Sequence, residues 1–400
     1  MKAGSRDRKK PPVLRSKLIK LDAVGFIERM TVLEELSGVV PRRPPLEAEL
    51  IVGGLRLIII LMEVLRRTRG KTIFEPKFSS LDRKLHLPNT GLVPFFENCL
   101  NLQLEIAEKY LPYHEFHPAI RLFASCQKAF PQYGNVVFAP KNRGADLFQY
   151  SAEMNDAIEK IRSVLSSVDF VRACKDFIRS AHKNHQTLTD YVNTLFKKRA
   201  TLWVIRLDLA CPFSPNTVPV EYEKTNAQPY RENFLAFLRS KSPVGRPFGY
   251  SWKLECGFNG AWRYHFLLFF TPLKGFTAIE IGDLLGTHWA NVITEGKGLY
   301  RNCNSLPERH PRRLGTGTIN RSKIRRRGDL NKAIRYMTQL DYYAKLRPGK
   351  RVNTFYGGDK ATAAKKKPIT RKPRATFRGK LSEIEQHQAM PRFYQEETNE

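Results

Sequence analysis

Apolar and polar positions change their rhythm near residue 200. Upstream, apolar residues recur at helical period. Ala152, Met154, Ala157, Ile158, Ile161, Val164 and Leu165 mark one helix, and Phe170, Val171, Cys174, Phe177 and Ile178 a second. The same character extends from about 22 to 130, with breaks at Pro41 to Pro45 and near Pro76. From Thr201 to Leu209 the chain turns strand-like, rich in β-branched and aromatic residues. Tyr230 to Leu238 predicts a helix. Tyr250 to Leu254 and Tyr264 to Phe270 predict a hairpin, and Thr277 to about Val292 another helix. After a loop from about 302 to 326, a helix is expected from Asp329, as N-cap, to Lys345. Strand, helix, paired strands, helix describes an α+β domain built on an antiparallel sheet with flanking helices, behind a mainly helical N-terminal region.

The expected organisation has four parts: a basic flexible arm (1–20), a helical region of open role (21–190), a sheet domain (191–358) and a basic, disordered tail (359–400). That tail carries Lys365-Lys366-Lys367 and Arg371-Lys372-Pro373-Arg374. No internal repeat is visible.

Charge sharpens the picture. The 68 Lys and Arg against 38 Asp and Glu leave a net charge of +30, the footprint of a nucleic-acid partner. An anionic membrane surface is the competing partner. Against it, the best apolar run, Ile51 to Met62, is interrupted by Arg56 and followed by Glu63, Arg66 and Arg67, so it reads as a buried core helix. No signal peptide is evident. Six scattered cysteines without a CxxC pair support neither a zinc ribbon nor a dithiol site. They fit a reducing, cytoplasmic setting.

Three groups carry candidate chemistry. Arg206 and Asp208 alternate with apolar neighbours, so they project from one sheet face; a cross-strand ion pair would also explain them. Glu255 and His265, on neighbouring hairpin strands, are able to face the same side and hold a divalent ion such as Mg2+ or Mn2+. The bland alternative is a hydrogen-bonded histidine beside a surface glutamate. On the last helix Leu330, Ile334, Met337 and Leu340 form the buried stripe, which leaves Tyr336, Gln339 and Tyr343 on another face. A tyrosine there is either a nucleophile toward phosphorus or an amphipathic residue at the core edge.

In this order the groups resemble the HUH superfamily of rolling-circle replication initiators, and in particular the replication-protein family of filamentous phages (inoviruses) and their prophage relatives. The matching pieces are Arg206-Leu207-Asp208-Leu209, Trp252 to Glu255, Tyr264 to Phe270, Gly298 to Asn304, Tyr336 to Asp341 and Val352 to Gly357. They cover about 190 to 358. The resemblance implies an HUH-like fold and a site-specific single-strand endonuclease. In that family a metal polarises the scissile phosphate, a helix tyrosine attacks it, and a free 3′-hydroxyl is left to prime synthesis. It implies a replication origin as the DNA partner and host replication proteins as further partners. Carried over, His265 is the second histidine of the motif, Glu255 the acidic ligand and Tyr336 the nucleophile.

The chain departs from the family at two places. Arg263 stands where the first histidine falls, and Gln339 where the motif lysine falls. Asp208 or another histidine is a substitute ligand, and Lys345 a substitute cation. Tyr342 with Lys345 also spells Tyr-x-x-Lys, so the nucleophile is open between Tyr336 and Tyr342. Arg206, Arg263, Arg321, Lys323, Arg325, Arg326 and Arg327 are the expected nucleic-acid contacts. Two alternatives stand beside the nickase: a relative that binds nucleic acid without cutting, and a basic packaging protein.

Overall fold

The computed structural model describes residues 46–79, 84–87, 91–100, 102, 104–127, 130, 144–212, 225, 227–240, 242–257, 260–308, 310, 313–338, 340–349 and 352–358. The expected arm at 1–20 and tail at 359–400 lie outside these residues, as does Gln339. The chain divides after Lys360 into two units, and every described residue belongs to the first.

The fold is α+β. The N-terminal part contains α1 (Leu46–Arg67), a small hairpin of β1 (Lys77–Ser79) and β2 (Lys84–His86), α2 (Leu92–Leu100), α3 (Leu104–Tyr110), β3 (His114–Phe116), α4 (Pro118–Gln127) and α5 (Gly144–Ser166). The apolar run read as a core helix is α1. Its Leu55, Ile58, Leu61, Met62 and Leu65 are buried together with Phe96, Phe123, Met154 and Ile158. No helix among the described residues is long and apolar enough to cross a membrane.

α6 (Val168–Lys198) begins at Ser167, whose side chain accepts from the Phe170 amide and satisfies one of the orphan donors of the first turn. Its 31 residues span roughly 45 Å. Phe170 at one end packs into the helical core, while Leu188, Val192, Leu195 and Phe196 pack on the sheet. The helical region and the sheet, expected as separate domains, are therefore threaded by one rod.

The sheet holds β4 (Thr201–Ala210), β5 (Gly249–Cys256), β6 (Trp262–Phe270), β7 (Leu299–Asn302), β8 (Gly317–Asn320) and β10 (Phe355–Tyr356), in the order β10-β5-β6-β4-β7. β8 pairs with the first half of β4, and β7 with the second. Every pairing is antiparallel. α7 (Ala227–Ser240) and α8 (Ala278–His288) cover one face. There Phe234, Phe237, Ile281 and Leu285 meet Ile205, Leu207, Leu209, Tyr264, Phe266 and Leu268.

The opposite face changes character halfway. Antiparallel register sets Val204 against Phe269, Arg206 against Leu267, Asp208 against His265 and Ala210 against Arg263. The apolar half (Leu202, Val204, Leu267, Phe269) is covered by α6 and by Leu330, Ile334 and Met337 of α9 (Ile324–Thr338). The charged half begins at Arg206.

Local expectations fail at three places. The expected loop from 302 to 326 contains β8, and the last helix starts at Ile324, so Asp329 is interior and accepts from Lys332 Nζ at 2.9 Å rather than capping. The same helix ends at Thr338. A 3-10 turn (Leu340–Tyr342) follows, then β9 (Ala344–Leu346), which pairs with β3. That partner lies more than 200 residues upstream, so no local pattern announces it. The helix expected to reach Val292 becomes a π-helical turn at Trp289–Ile293, where Trp289 Nε1 donates to the Ala210 carbonyl at 2.9 Å.

Candidate functional site

Strand alternation assembles the site. Arg206 and Asp208 on β4, Arg263 and His265 on β6, and Ser251, Lys253 and Glu255 on β5 share one face by register. Arg301 on β7 stands directly opposite Asp208. All of these are buried, including His265 at 0% and Glu255 at 1% exposure.

The imidazole is held from both sides. His265 Nδ1 lies 2.5 Å from Asp208 Oδ1, and Nε2 lies 2.8 Å from Glu255 Oε2. Two carboxylate oxygens at two ring nitrogens require either an imidazolium that donates twice or a carboxyl that keeps its proton. Cys303 donates from Sγ to Asp208 Oδ2 at 3.6 Å, and Arg206 Nε lies 3.6 Å from Asp208 Oδ1. Asn304 braces the strand beneath: its Oδ1 accepts from the Arg206 amide at 3.0 Å, and its Nδ2 donates to the Val204 carbonyl at 2.9 Å.

Tyr336 reaches this row from α9. The Arg206 guanidinium carbon lies 4.1 Å from its ring centroid, and its ring meets His265 edge-on at 6.1 Å and 86°. Burial works to lower the Arg206 pKa, but Asp208, Cys303 and Tyr336 outweigh it and hold the group above the usual arginine range. Unlike its neighbours in the row, Tyr336 is half-buried.

Lys253 and Asp341 complete the row, and sequence reading gave neither a role. Lys253 Nζ donates to both Asp341 oxygens, at 2.6 and 2.7 Å. The one signal was period two on β5, which aligns Ser251, Lys253 and Glu255. Asp341 arrives through the 3-10 turn, which the helix expectation hid.

Other candidates lie elsewhere. Tyr343 is packed in the helical core. Tyr342 Oη lies 3.5 Å from His182 Nδ1, and its pKa is raised by burial and by Asp341. Lys345 donates to the Phe177 carbonyl and sits 4.2 Å over that ring. Burial first, then Arg347, pushes its pKa down to about 8. Arg321, Lys323, Arg325 and Arg326 are exposed, the last two within the first turn of α9 rather than in a loop. Arg327 is half-buried over Phe196 and donates to Asn193 Oδ1 at 2.6 Å. A cleft of about 490 Å³ opens there, lined by Asp190, Asn193, Thr194, Lys197, Arg321 and Arg327. It sits at the far end of α9 from Tyr336, roughly 18 Å along the helix.

The row fits a divalent ion poorly. Asp208 and Glu255 occupy opposite nitrogens of one ring, so they cannot close on one ion together. That leaves Glu255 with Nε2 on one side of the ring and Asp208 with Nδ1 and the Cys303 thiol on the other, where hard cations take six or more oxygen-rich ligands. Among the described residues no three His, Cys, Asp or Glu side chains are placed to hold a metal ion. No protein-family model, curated protein or solved structure matches this chain.

Proposed function

We propose that this chain is a DNA replication initiator of the rolling-circle, phage or prophage kind, which cuts one strand of its origin through Tyr336. The reading rests on one observation: Tyr336, whose ring is partly exposed while its hydroxyl is buried, packs on Arg206 and meets His265 edge-on. A phosphodiester would meet the site at this tyrosine. The phenol oxygen attacks phosphorus, the bond from phosphorus to the 3′ oxygen breaks, and a 5′-phosphotyrosyl link forms. The phenol proton passes to the carboxylate–imidazole chain of Glu255, His265 and Asp208, and the departing 3′ oxygen takes a proton from solvent. Arg206, stacked on the ring, stabilises the negative charge that develops on the phenol oxygen. The protein would act in the cytoplasm, on its origin and with host replication proteins.

A second reading, binding without cutting, is favoured by the burial of the row and by its internal pairing. Packaging alone would not call for a tyrosine held over an arginine.

Supercoiled DNA carrying the chain's own origin, incubated with and without Mn2+ or Mg2+, separates the readings. The native protein should form a covalent protein–DNA adduct. Tyr336→Phe should melt and bind DNA normally yet form none, while Tyr342→Phe should retain it. An adduct that persists in Tyr336→Phe and vanishes in Tyr342→Phe would move the nucleophile. No adduct from the native protein under any condition would leave the binding reading.

A further inference from the structure

The charge balance of the row points beyond this reading. Arg206, Lys253, Arg263 and Arg301 are buried with Asp208, Glu255 and Asp341, so four permanent or near-permanent cations face three carboxylates before His265 is counted. Buried carboxylates are either paired or, where counter-charge is missing, held by a metal. Here the counter-charge is built in. Arg263 is the direct cross-strand partner of Glu255, and two residues from His265 on the same face. The register position beside Glu255 and His265 that could supply a third donor is therefore held by an arginine, whose guanidinium carries no lone pair to offer a cation. A divalent ion would also bring two further positive charges into a row where cations already outnumber carboxylates. At buried separations that repulsion is large.

We infer that the row is built to work without a divalent ion, with the Arg263 guanidinium occupying the place an ion would take. Arg263 and Arg206 then supply the positive charge that a phosphate requires. Arginine suits the task because it stays protonated when buried, so its charge acts on a phosphate from within the row. The proposal draws on the replication-type reading only for why a phosphate should arrive; the ion-binding claim stands on the donor set alone.

Titration with Mn2+, followed by electron paramagnetic resonance of the free ion, tests it on the full chain. The native protein should take up no stoichiometric Mn2+ up to about 1 mM, the weak end of protein sites for divalent cations. Arg263→His places a donor opposite Glu255 and beside His265, so it should gain one Mn2+ per chain and lose it again when combined with Glu255→Gln. One Mn2+ bound per native chain, and lost in Glu255→Gln, would overturn the inference. So would an Arg263→His chain that melts like the native protein and still binds no ion. Where the native protein forms the adduct described above, it should form it equally in EDTA; an adduct abolished by EDTA overturns the inference while leaving the nuclease reading intact. A chain that binds no DNA would remove the replication reading and leave the Mn2+ titration decisive.

Discussion

Lys253 and Asp341 show how sharply individual residues are constrained in this row. Their side chains are almost fully buried and joined by two short contacts, so neither charge has water to fall back on. Removing one partner strands the other, which costs about 3–5 kcal/mol, whereas replacing both by apolar groups of similar volume costs little. Asp341→Leu should lower stability to urea by that amount. Lys253→Met combined with Asp341→Leu should recover most of it. Additive losses in the double variant would show that the pair is not a coupled unit. At this scale the sequence already put Arg206 and Asp208 on one face by strand alternation and made a shared face for Glu255 and His265 possible, which the strand register then decided. Lys253 obeys the same alternation, but its partner comes from a 3-10 turn whose position no periodicity reveals.

Among the elements, α9 decides most. It covers the apolar half of the sheet with Leu330, Ile334 and Met337, and its last turns set Tyr336 over the charged half. The helical stripe that separates Tyr336 from the buried positions was legible from spacing. The start of the helix was not, because Asp329 imitates an N-cap inside it. The loop before β8 is pinned against α9 at Gly315. This residue has φ +79°, and a Cβ there would lie 2.6 Å from Leu330 Cα and 2.7 Å from the Asp329 carbonyl oxygen. Both neighbours are backbone and cannot rotate away. Gly315→Ala should therefore cost about 2–4 kcal/mol, from left-handed strain and overpacking together. Thermal melting measures it, and a change below about 0.5 kcal/mol would mean the loop is free to leave the helix.

For the whole molecule, charge dominates: +30 over 400 residues, with Arg321, Lys323, Arg325 and Arg326 exposed around the start of α9. Binding to single-stranded DNA should be strongly salt-dependent. With ~6 phosphate contacts, affinity falls roughly 300-fold between about 50 and 200 mM salt. Replacing these four side chains by Gln should reduce the log–log salt slope by roughly 3, at ~0.7 per contact. Fluorescence anisotropy across a salt series reads this out. An unchanged slope would place the contacts on other parts of the chain.

By itself the sequence determined the class of the fold, the break in character near residue 200 and the shared face of Arg206 and Asp208. These follow from periods of two and 3.6, which are properties of neighbouring residues. It also set Arg263 and Gln339 against the motif residues that the proposed replication-type reading would expect. Only the tertiary structure decided which groups meet. It gave Tyr336 rather than Tyr342 to the row, sent Lys345 to Phe177, brought Asp341 to Lys253 and set the two carboxylates on opposite nitrogens of His265. β9 lies beyond any local signal for the same reason: its partner is β3, far upstream, and pairing at that distance is stabilised by packing between elements rather than by the residues beside it.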